Sequence, residues 1–340
     1  MQKIRIGLMG FGRIGRQLFQ LALDRERFEI AVISDIGQPE ILHHLLDKTM
    51  GQDSDVTLES NYLVSERGRT RLMPADHPNE IPWDVFDVDF VIDASSRFRS
   101  MQELNPHLEN GAKRVILSVL PEGDVDQVVL FGVNEASASA HNRIISAGSA
   151  STTATALALK IIMDCFAIEH ATMTSVHAYT SDQALQDYAG ADHRRSRSGA
   201  ENIIPNNTPA LHWVQQVLPE VSGKFTAYAL NVPVQVGSML DITVALTEAL
   251  PDVDRIKDLF IAAEENVPAL VGTTNDLIVS SDIKGCTKSL LVDLQGTIKA
   301  GSKMVKILAW HESLGHASRI LDIAETYADL DATERKETSS

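Results

Sequence analysis

Short apolar runs alternate with helical patterns through the first half of the chain. Ile4–Leu8, Glu29–Ser34, Val88–Ala94, Arg114–Val119 and Val128–Val133 read as strands, and Arg16–Leu23 as a helix. These strands are almost continuously apolar, which predicts a parallel sheet buried on both faces. Beyond about residue 150 the pattern changes. Ser151–Cys165 is a small-residue-rich helix with a continuous Ala/Leu/Ile pattern. His170–Tyr179, Phe225–Val234, Met239–Leu246, Leu290–Leu294 and Lys306–Trp310 are longer and more alternating, which suits a mixed or antiparallel sheet. Asp182–Asn207 is a polar stretch without periodicity, the kind of segment that is functional or lies at an interface. Ser318–Leu330 reads as a last amphipathic helix, and Asp331–Ser340 as a frayed polar tail.

Composition bounds the possibilities. A length of 340 residues suggests two domains, and 44% apolar residues suffice for a large core. Acidic side chains number 46 against 30 basic, a net charge of −16. That balance argues against nucleic acid or an anionic membrane as partner. No run approaches the ~20 apolar residues that span a bilayer. The N-terminus enters a strand directly, without signal-peptide architecture, so a cytoplasmic location is expected. Cys165 and Cys286 are the only cysteines, too few for a disulfide framework or a Cys-rich metal site, and no metal is expected.

Chemistry first shows at Gly10-Phe11-Gly12-Arg13-Ile14-Gly15, a GxGxxG that directly follows a strand and opens a helix. Glycines there permit a tight turn, close backbone approach to a pyrophosphate and close helix–strand packing, while the helix N-terminus supplies amide donors. The motif alone is weak. Asp35, 20 residues after Gly15 at the end of the second strand, strengthens it. An acid at that spacing accepts the adenosine ribose hydroxyls and repels a 2′-phosphate. Arg13 and Arg16 could contact phosphates or simply solvate the helix.

Gly10-Phe11-Gly12-Arg13-Ile14-Gly15-Arg16 resembles the N-terminal signature of phosphorylating glyceraldehyde-3-phosphate dehydrogenases. The likeness extends to Gly132-Val133-Asn134, Val176–Gln183, Arg194-Arg195-Ser196-Arg197, Asn202-Ile203-Ile204-Pro205, Val217-Leu218-Pro219-Glu220 and Gly223-Lys224. It implies an α/β chain: a Rossmann dinucleotide-binding domain (1–149) and an α+β catalytic domain with a mixed or antiparallel sheet (150–314). A C-terminal helix (315–330) would pack back on the Rossmann domain, ahead of a polar tail (331–340). It implies a homotetramer that binds NAD and a small-molecule ligand, phosphorylated or not, and no membrane.

The chain departs from that pattern at the site. The segment that carries the family's catalytic cysteine is here Ser146-Ala147-Gly148-Ser149-Ala150-Ser151-Thr152-Thr153. Aligned without gaps to His177, the cysteine position is Ala150; a one-residue slip would make it Ser151. Neither is a thiol, and thioester chemistry needs a thiolate activated by a His177-type imidazole. Asn231 stands where the family has an arginine for substrate phosphate. Thr208-Pro209 replaces Thr-Gly in a second anion site, where a proline has no N–H to give. Trp310-His311-Glu312-Ser313 replaces a segment whose asparagine holds the nicotinamide carboxamide, which Ser313 could replace. Ser95-Ser96 stands for a Ser/Thr-Gly pair, Ser34 for an asparagine, and Tyr188-Ala189 for an apolar residue and proline that exclude a 2′-phosphate. Asp35 therefore favours NAD, and Tyr188-Ala189 leaves NADP open.

These readings give a candidate site in three parts. The cofactor falls to Gly10, Phe11, Gly12, Arg13, Ile14, Gly15, Asp35, Ser95 and Ser313. His177 is the candidate acid–base, with Ala150 at the nucleophile position between Ser149 and Ser151. Ser149, Ser151, Thr180, Thr208, Asn231 and Arg195 are candidates for substrate or anion contacts. The expected function is an NAD(P)-dependent oxidoreductase with thiol-independent chemistry. The alternative is an NAD-binding pseudoenzyme with a regulatory or scaffolding role. Ordinary phosphorylating aldehyde oxidation is what the missing thiol argues against.

Overall fold

Strand β1 (Ile4–Met9) is the hub from which the first half of the chain is built. After it come α1 (Arg13–Asp24), β2 (Phe28–Ser34), α2 (Pro39–Met50), β3 (Thr57–Glu59), β4 (Tyr62–Ser65), β5 (Gly68–Met73), β6 (Phe90–Asp93), α3 (Met101–Glu109), β7 (Arg114–Leu117), β8 (Gln127–Val128) and β9 (Ile144–Ser146). The computed structural model describes residues 3–51, 55–180 and 183–338. One unit runs as far as Gly148 and takes in the chain from Ala317 onward; the other is Ser149–His316.

The first unit holds a nine-stranded sheet in the order β3-β4-β5-β2-β1-β6-β7-β9-β8. The β3–β4–β5 ribbon is antiparallel and every other pairing is parallel. Strand order reverses at β1, between β2 and β6. In sheets of this type that reversal opens a crevice beyond the strand ends where ligands bind. Alternate residues feed two cores. Ile6, Leu8, Phe90, Ile92 and Ile116 pack to one side, and Met9, Val91, Val115 and Leu117 to the other. Helix α1 buries Gly15, Leu18, Phe19 and Ala22, the spacing that puts three side chains and a bare glycine on one helical face.

One expectation for this unit is corrected. Val128–Val133 is strand only at Gln127–Val128. The Asn134 side chain turns the rest, accepting from the Leu130 N–H at 2.7 Å and donating to the Val128 carbonyl at 2.9 Å. The short Ile144–Ser146 run takes the sheet position beside β7 instead.

The second unit carries α4 (Ala150–Met163), β10 (Ile168–Ala178), β11 (Ile204–Asn206), α5 (Ala210–Val217), β12 (Phe225–Val232), β13 (Ser238–Leu246), α6 (Asp254–Asn266), β14 (Val271–Thr274), β15 (Leu290–Ala300) and β16 (Met304–His311). Its mixed sheet has the order β11-β12-β10-β13-β16-β15-β14. The pairs β10–β12 and β14–β15 are parallel and the remainder antiparallel. Leu240, Ile242, Val244 and Leu246 are buried, while Met239, Asp241, Thr243 and Ala245 between them stay partly open. That period of two marks a sheet with one covered face.

Helix α7 (Ser313–Thr338) is longer than the expected 318–330 in both directions. From Ala317 it adds Ala317, Ile320, Leu321, Ile323, Ala324 and Tyr327 to the core that contains β1. The expected frayed tail is helical through Thr338; residues 339–340 lie outside the described residues. Its polar side chains are bound rather than loose. Asp322 pairs with Arg25 at 2.6 Å, Asp329 with Arg27, and Asp331 with Arg114. No helix among the described residues is long and apolar enough to cross a membrane.

Candidate functional site

The glycine loop after β1 is shaped by contacts that exclude a side chain. Gly10 has φ +93°, and a Cβ on it would lie 2.8 Å from the Ser95 backbone nitrogen. A Cβ on Gly15 would lie 2.2 Å from the Gly10 carbonyl oxygen, so α1 can approach β1 only without one. Around Gly12, by contrast, nothing lies within 4 Å of a Cβ position. Open space therefore faces the first turn of α1, where free amides and the helix dipole favour a pyrophosphate. Asp35 ties this loop to the end of β2. Its two oxygens accept from the Phe11 N–H at 2.7 Å and the Gly37 N–H at 2.8 Å. Each oxygen keeps a lone pair for a ribose hydroxyl.

Gly10, Phe11, Gly12, Arg13, Ile14, Gly15, Asp35 and Ser95 thus come together at the strand-order reversal. Phe11 contributes backbone only, since its ring is buried edge-on against Phe19 at 5.9 Å. Arg16 is held by its own fold, donating to Thr49 Oγ1 at 2.9 Å and the Phe11 carbonyl at 3.1 Å. Burial, with Arg13 close by, lowers its pKa. Arg13 is exposed.

Under this loop lies a buried chain that no local pattern announces. The Trp83 Nε1–H donates to His107 Nδ1 at 3.1 Å, which leaves the imidazole proton on Nε2, facing Asp93 Oδ2 at 3.3 Å. Asp93 Oδ1 accepts from both the N–H and the hydroxyl of Ser95, at 2.9 and 2.7 Å. Asp93 and His107 are fully buried. The next residue, Ser96, has φ +61°, a conformation costly for any residue with a Cβ. Ser96→Gly is expected to stabilise the protein by about 1 kcal/mol. Urea unfolding checks this, and a destabilised variant would show that the serine side chain holds the turn.

In the second unit, Ser149 caps α4. Its Oγ accepts from the Thr152 N–H at 3.2 Å and sits 2.7 Å from Thr152 Oγ1 and 3.4 Å from Ser151 Oγ. Ala150 is the first residue of the helix. Cys165, expected on this buried helix, lies past its far end and is exposed; Cys286 is half-buried.

His177 is near the end of β10, directly opposite Asn231 of β12. Its Nδ1 lies 2.6 Å from the Ala178 carbonyl, which only a protonated nitrogen satisfies. His311, at the end of β16, presents its ring edge to His177 with centroids 6.1 Å apart. His311 is buried, and its Nε2 has no hydrogen-bond partner among the described residues. Burial first, then the neighbouring His177 and His316, push its pKa down to about 3. His311 is therefore neutral at physiological pH.

Next to Asn231 lie groups that the sequence did not single out. Asn231 Nδ2 donates to Gln183 Oε1 at 2.9 Å, the Thr180 N–H donates to the same oxygen at 3.2 Å, and Asn206 Nδ2 approaches Asn231 Oδ1 at 3.4 Å. Ser181 and Asp182, part of the Val176–Gln183 motif, lie outside the described residues. Thr208 Oγ1 accepts from the Ala210 N–H at 3.2 Å, at the start of α5. The arginine segment is well tied. Arg194 reaches Tyr228 Oη at 3.1 Å, Arg197 pairs with Asp187 at 2.8 Å, and the Arg195 N–H donates to Asp192 at 2.8 Å. The Ser198 N–H lowers the Asp187 pKa, and the Arg195 and Arg194 N–H groups lower that of Asp192. Ser313 opens α7 and donates to Glu312 Oε1 at 2.7 Å, while Glu312 Oε2 accepts from the Leu314 N–H. Among the described residues, no group of three or more His, Cys, Asp or Glu could hold a metal ion.

Comparison with known proteins assigns both halves. Residues 4–101 match the glyceraldehyde 3-phosphate dehydrogenase NAD binding domain, and residues 149–313 the glyceraldehyde 3-phosphate dehydrogenase C-terminal domain. The chain is 34% identical over 330 residues to the glyceraldehyde-3-phosphate dehydrogenase of Priestia megaterium, covering 96% of this chain and 98% of that one. It is 34% identical to glyceraldehyde-3-phosphate dehydrogenase 1 of Bacillus subtilis (94% and 97% covered), and 35% identical to the Haloarcula vallismortis enzyme (95% and 98%).

Proposed function

The chain belongs to the glyceraldehyde-3-phosphate dehydrogenase family, and from that premise we propose that it is an NAD-dependent oxidoreductase whose chemistry does not run through a thiol. The observation that carries this reading is the start of α4. A methyl group, Ala150, occupies the position that the resemblance gives to the nucleophile, and the hydroxyl of its neighbour Ser149 is engaged as the helix cap. Cys165 lies 15 residues further on, past the far end of α4, roughly 20 Å away at 1.5 Å per helical residue.

The glycine loop and Asp35 fit NAD, which supplies the carbon that takes or gives the hydride. His177 handles the proton. With Nδ1–H on the Ala178 carbonyl, the lone pair lies on Nε2. Nε2 takes the proton of an alcohol as it is oxidised, or returns one to the oxygen of a carbonyl as it is reduced. Neutral His311 places no second positive charge beside the imidazolium. Carbonyl–alcohol exchange needs hydride on carbon and a proton on oxygen, and neither an acyl intermediate nor phosphate.

One observation favours a second reading. Ser313 stands where the family's asparagine would hold the carboxamide, and its hydroxyl is engaged with Glu312. A chain that binds NAD without placing the nicotinamide would be a regulatory or scaffolding protein. In either case we infer a homotetramer, and the partly open face of the second unit's sheet supports contact with another copy.

With NADH and a panel of small aldehydes, the wild-type protein is expected to oxidise NADH, and His177→Ala to be slower by about 10²–10⁴-fold. A melting temperature raised by NAD with no turnover would favour the second reading. Turnover of glyceraldehyde 3-phosphate with NAD and phosphate, above the His177→Ala control, would overturn both.

A further inference from the structure

We propose that Asp93, braced by His107 and Trp83, is a positioning residue for the dinucleotide. It acts by committing the proton of the Ser95 hydroxyl, whose oxygen then accepts from a hydroxyl of the second ribose. The inference rests on NAD as the cofactor, not on the acid–base role given to His177. Trp83, Asp93 and His107 are all fully buried, and each bond in their chain sets the direction of the next. An indole N–H only donates, so His107 Nδ1 must accept from Trp83 Nε1 at 3.1 Å. The imidazole then carries its proton on Nε2, which donates to Asp93 Oδ2 at 3.3 Å. Asp93 Oδ1 is left to Ser95, accepting from its N–H at 2.9 Å and its hydroxyl at 2.7 Å.

Ser95, at the outer end of the chain, is partly open. It borders the glycine loop, its backbone nitrogen 2.8 Å from where a Cβ on Gly10 would lie. A hydroxyl has one proton and two lone pairs. The proton is on Asp93, and the Arg97 N–H takes one lone pair at 3.2 Å. One lone pair remains, so a ligand group there must bring a proton. A pyrophosphate oxygen brings none, and would face the Asp93 carboxylate behind the serine. The two arginines that follow are engaged elsewhere, Arg97 with Asp76 and Arg99 Nε with the Ser96 carbonyl at 3.1 Å. A ribose hydroxyl is the fitting donor. Asp35, after β2, is placed for the adenosine ribose on one side of β1, and β6, which carries Asp93, flanks β1 on the other. The hydroxyl at Ser95 therefore belongs to the ribose of the nicotinamide half.

Isothermal titration of the full chain with NAD, ADP-ribose and AMP tests this. ADP-ribose keeps the second ribose without the nicotinamide, and AMP is the adenosine half alone. Ser95→Ala is expected to weaken NAD and ADP-ribose about fivefold, the worth of one hydrogen bond, with AMP unchanged. Asp93→Asn, whose NH₂ would oppose one of the three donors, is expected to do the same. In the double variant it should add less than twofold to Ser95→Ala, while urea unfolding shows it destabilising in both backgrounds. Should Asp93→Asn fail to fold, His107 carries the test. His107→Phe is expected to weaken NAD about fivefold, and His107→Gln, whose amide N–H can replace Nε2–H, by less than twofold. Unchanged NAD affinity in Ser95→Ala, an equal loss of AMP, or a loss of NAD without ADP-ribose would overturn the proposal. So would effects of Ser95→Ala and Asp93→Asn that add in full, or equal losses in the two His107 variants. A wild-type chain that binds none of the three compounds would sink the NAD reading itself.

Discussion

Replacing His311 with phenylalanine is expected to flatten the acid side of the stability curve. In the folded protein the His311 pKa is pushed down to about 3, chiefly by burial and then by His177 and His316. In the unfolded chain it returns to about 6.5. As pH falls, the unfolded chain takes up the proton first. The stability present above pH ~6.5 is therefore lost on the way down towards pH ~3. The loss is about 2 kcal/mol at pH 5 and on the order of 4 kcal/mol over the whole window. Urea unfolding at pH 7, 6 and 5 should show the wild type losing that much more than His311→Phe. Parallel losses in the two proteins would mean that His311 is protonated in place, and with it the neutral surroundings claimed for His177 would go.

Arg114→Met is expected to cost about 3–5 kcal/mol, in the range for breaking a buried ion pair. Arg114 is 5% exposed. Its guanidinium donates to the Asn142 carbonyl at 2.7 Å, to the Ala140 carbonyl and to the Asp331 carboxylate, and it lies 5.2 Å from the centre of the Tyr327 ring. Methionine fills the space of the stem but leaves two carbonyls and a carboxylate without their donor. Adding Asp331→Asn should return about 1 kcal/mol, because the stranded charge goes. Chemical unfolding of the single and double variants measures both terms. A single-variant loss under about 1 kcal/mol would mean that water replaces the arginine, as at an exposed ion pair.

What the sequence made legible was what short-range spacing encodes. The strand, GxGxxG, helix and distant Asp35 sit within one supersecondary unit, and each constraint on that loop acts over a few residues. His177 was legible through the motif around it. The Trp83–His107–Asp93 chain was not, because it joins three separate elements whose side chains meet only after the sheet forms. Gln183 and Asn206 escaped for the same reason: each is an ordinary polar residue of a loop or short strand until β12 brings Asn231 between them. His311 was visible as a departure from the family, but its burial, and hence its neutrality, depends on neighbours from β10 and α7. Val128–Val133 misled because an apolar composition suits a strand equally well as a turn pinned by one asparagine. Asp331–Thr338 misled because a polar helix end looks like a solvated tail until Arg114 supplies the partner.

The return of α7 to the first unit also sets the order of events on the ribosome. The core around β1 includes Ile320, Leu321, Ile323, Ala324 and Tyr327, yet Ser149–His316 is made before any of them. At the usual 5–20 residues per second, that intervening stretch occupies roughly 10–30 s of synthesis. During it the nascent first unit carries an uncovered apolar groove, open to a chaperone or to a second nascent chain. A chain cut short before Ala317 lacks these side chains, and so yields an exposed hydrophobic surface rather than a smaller stable protein.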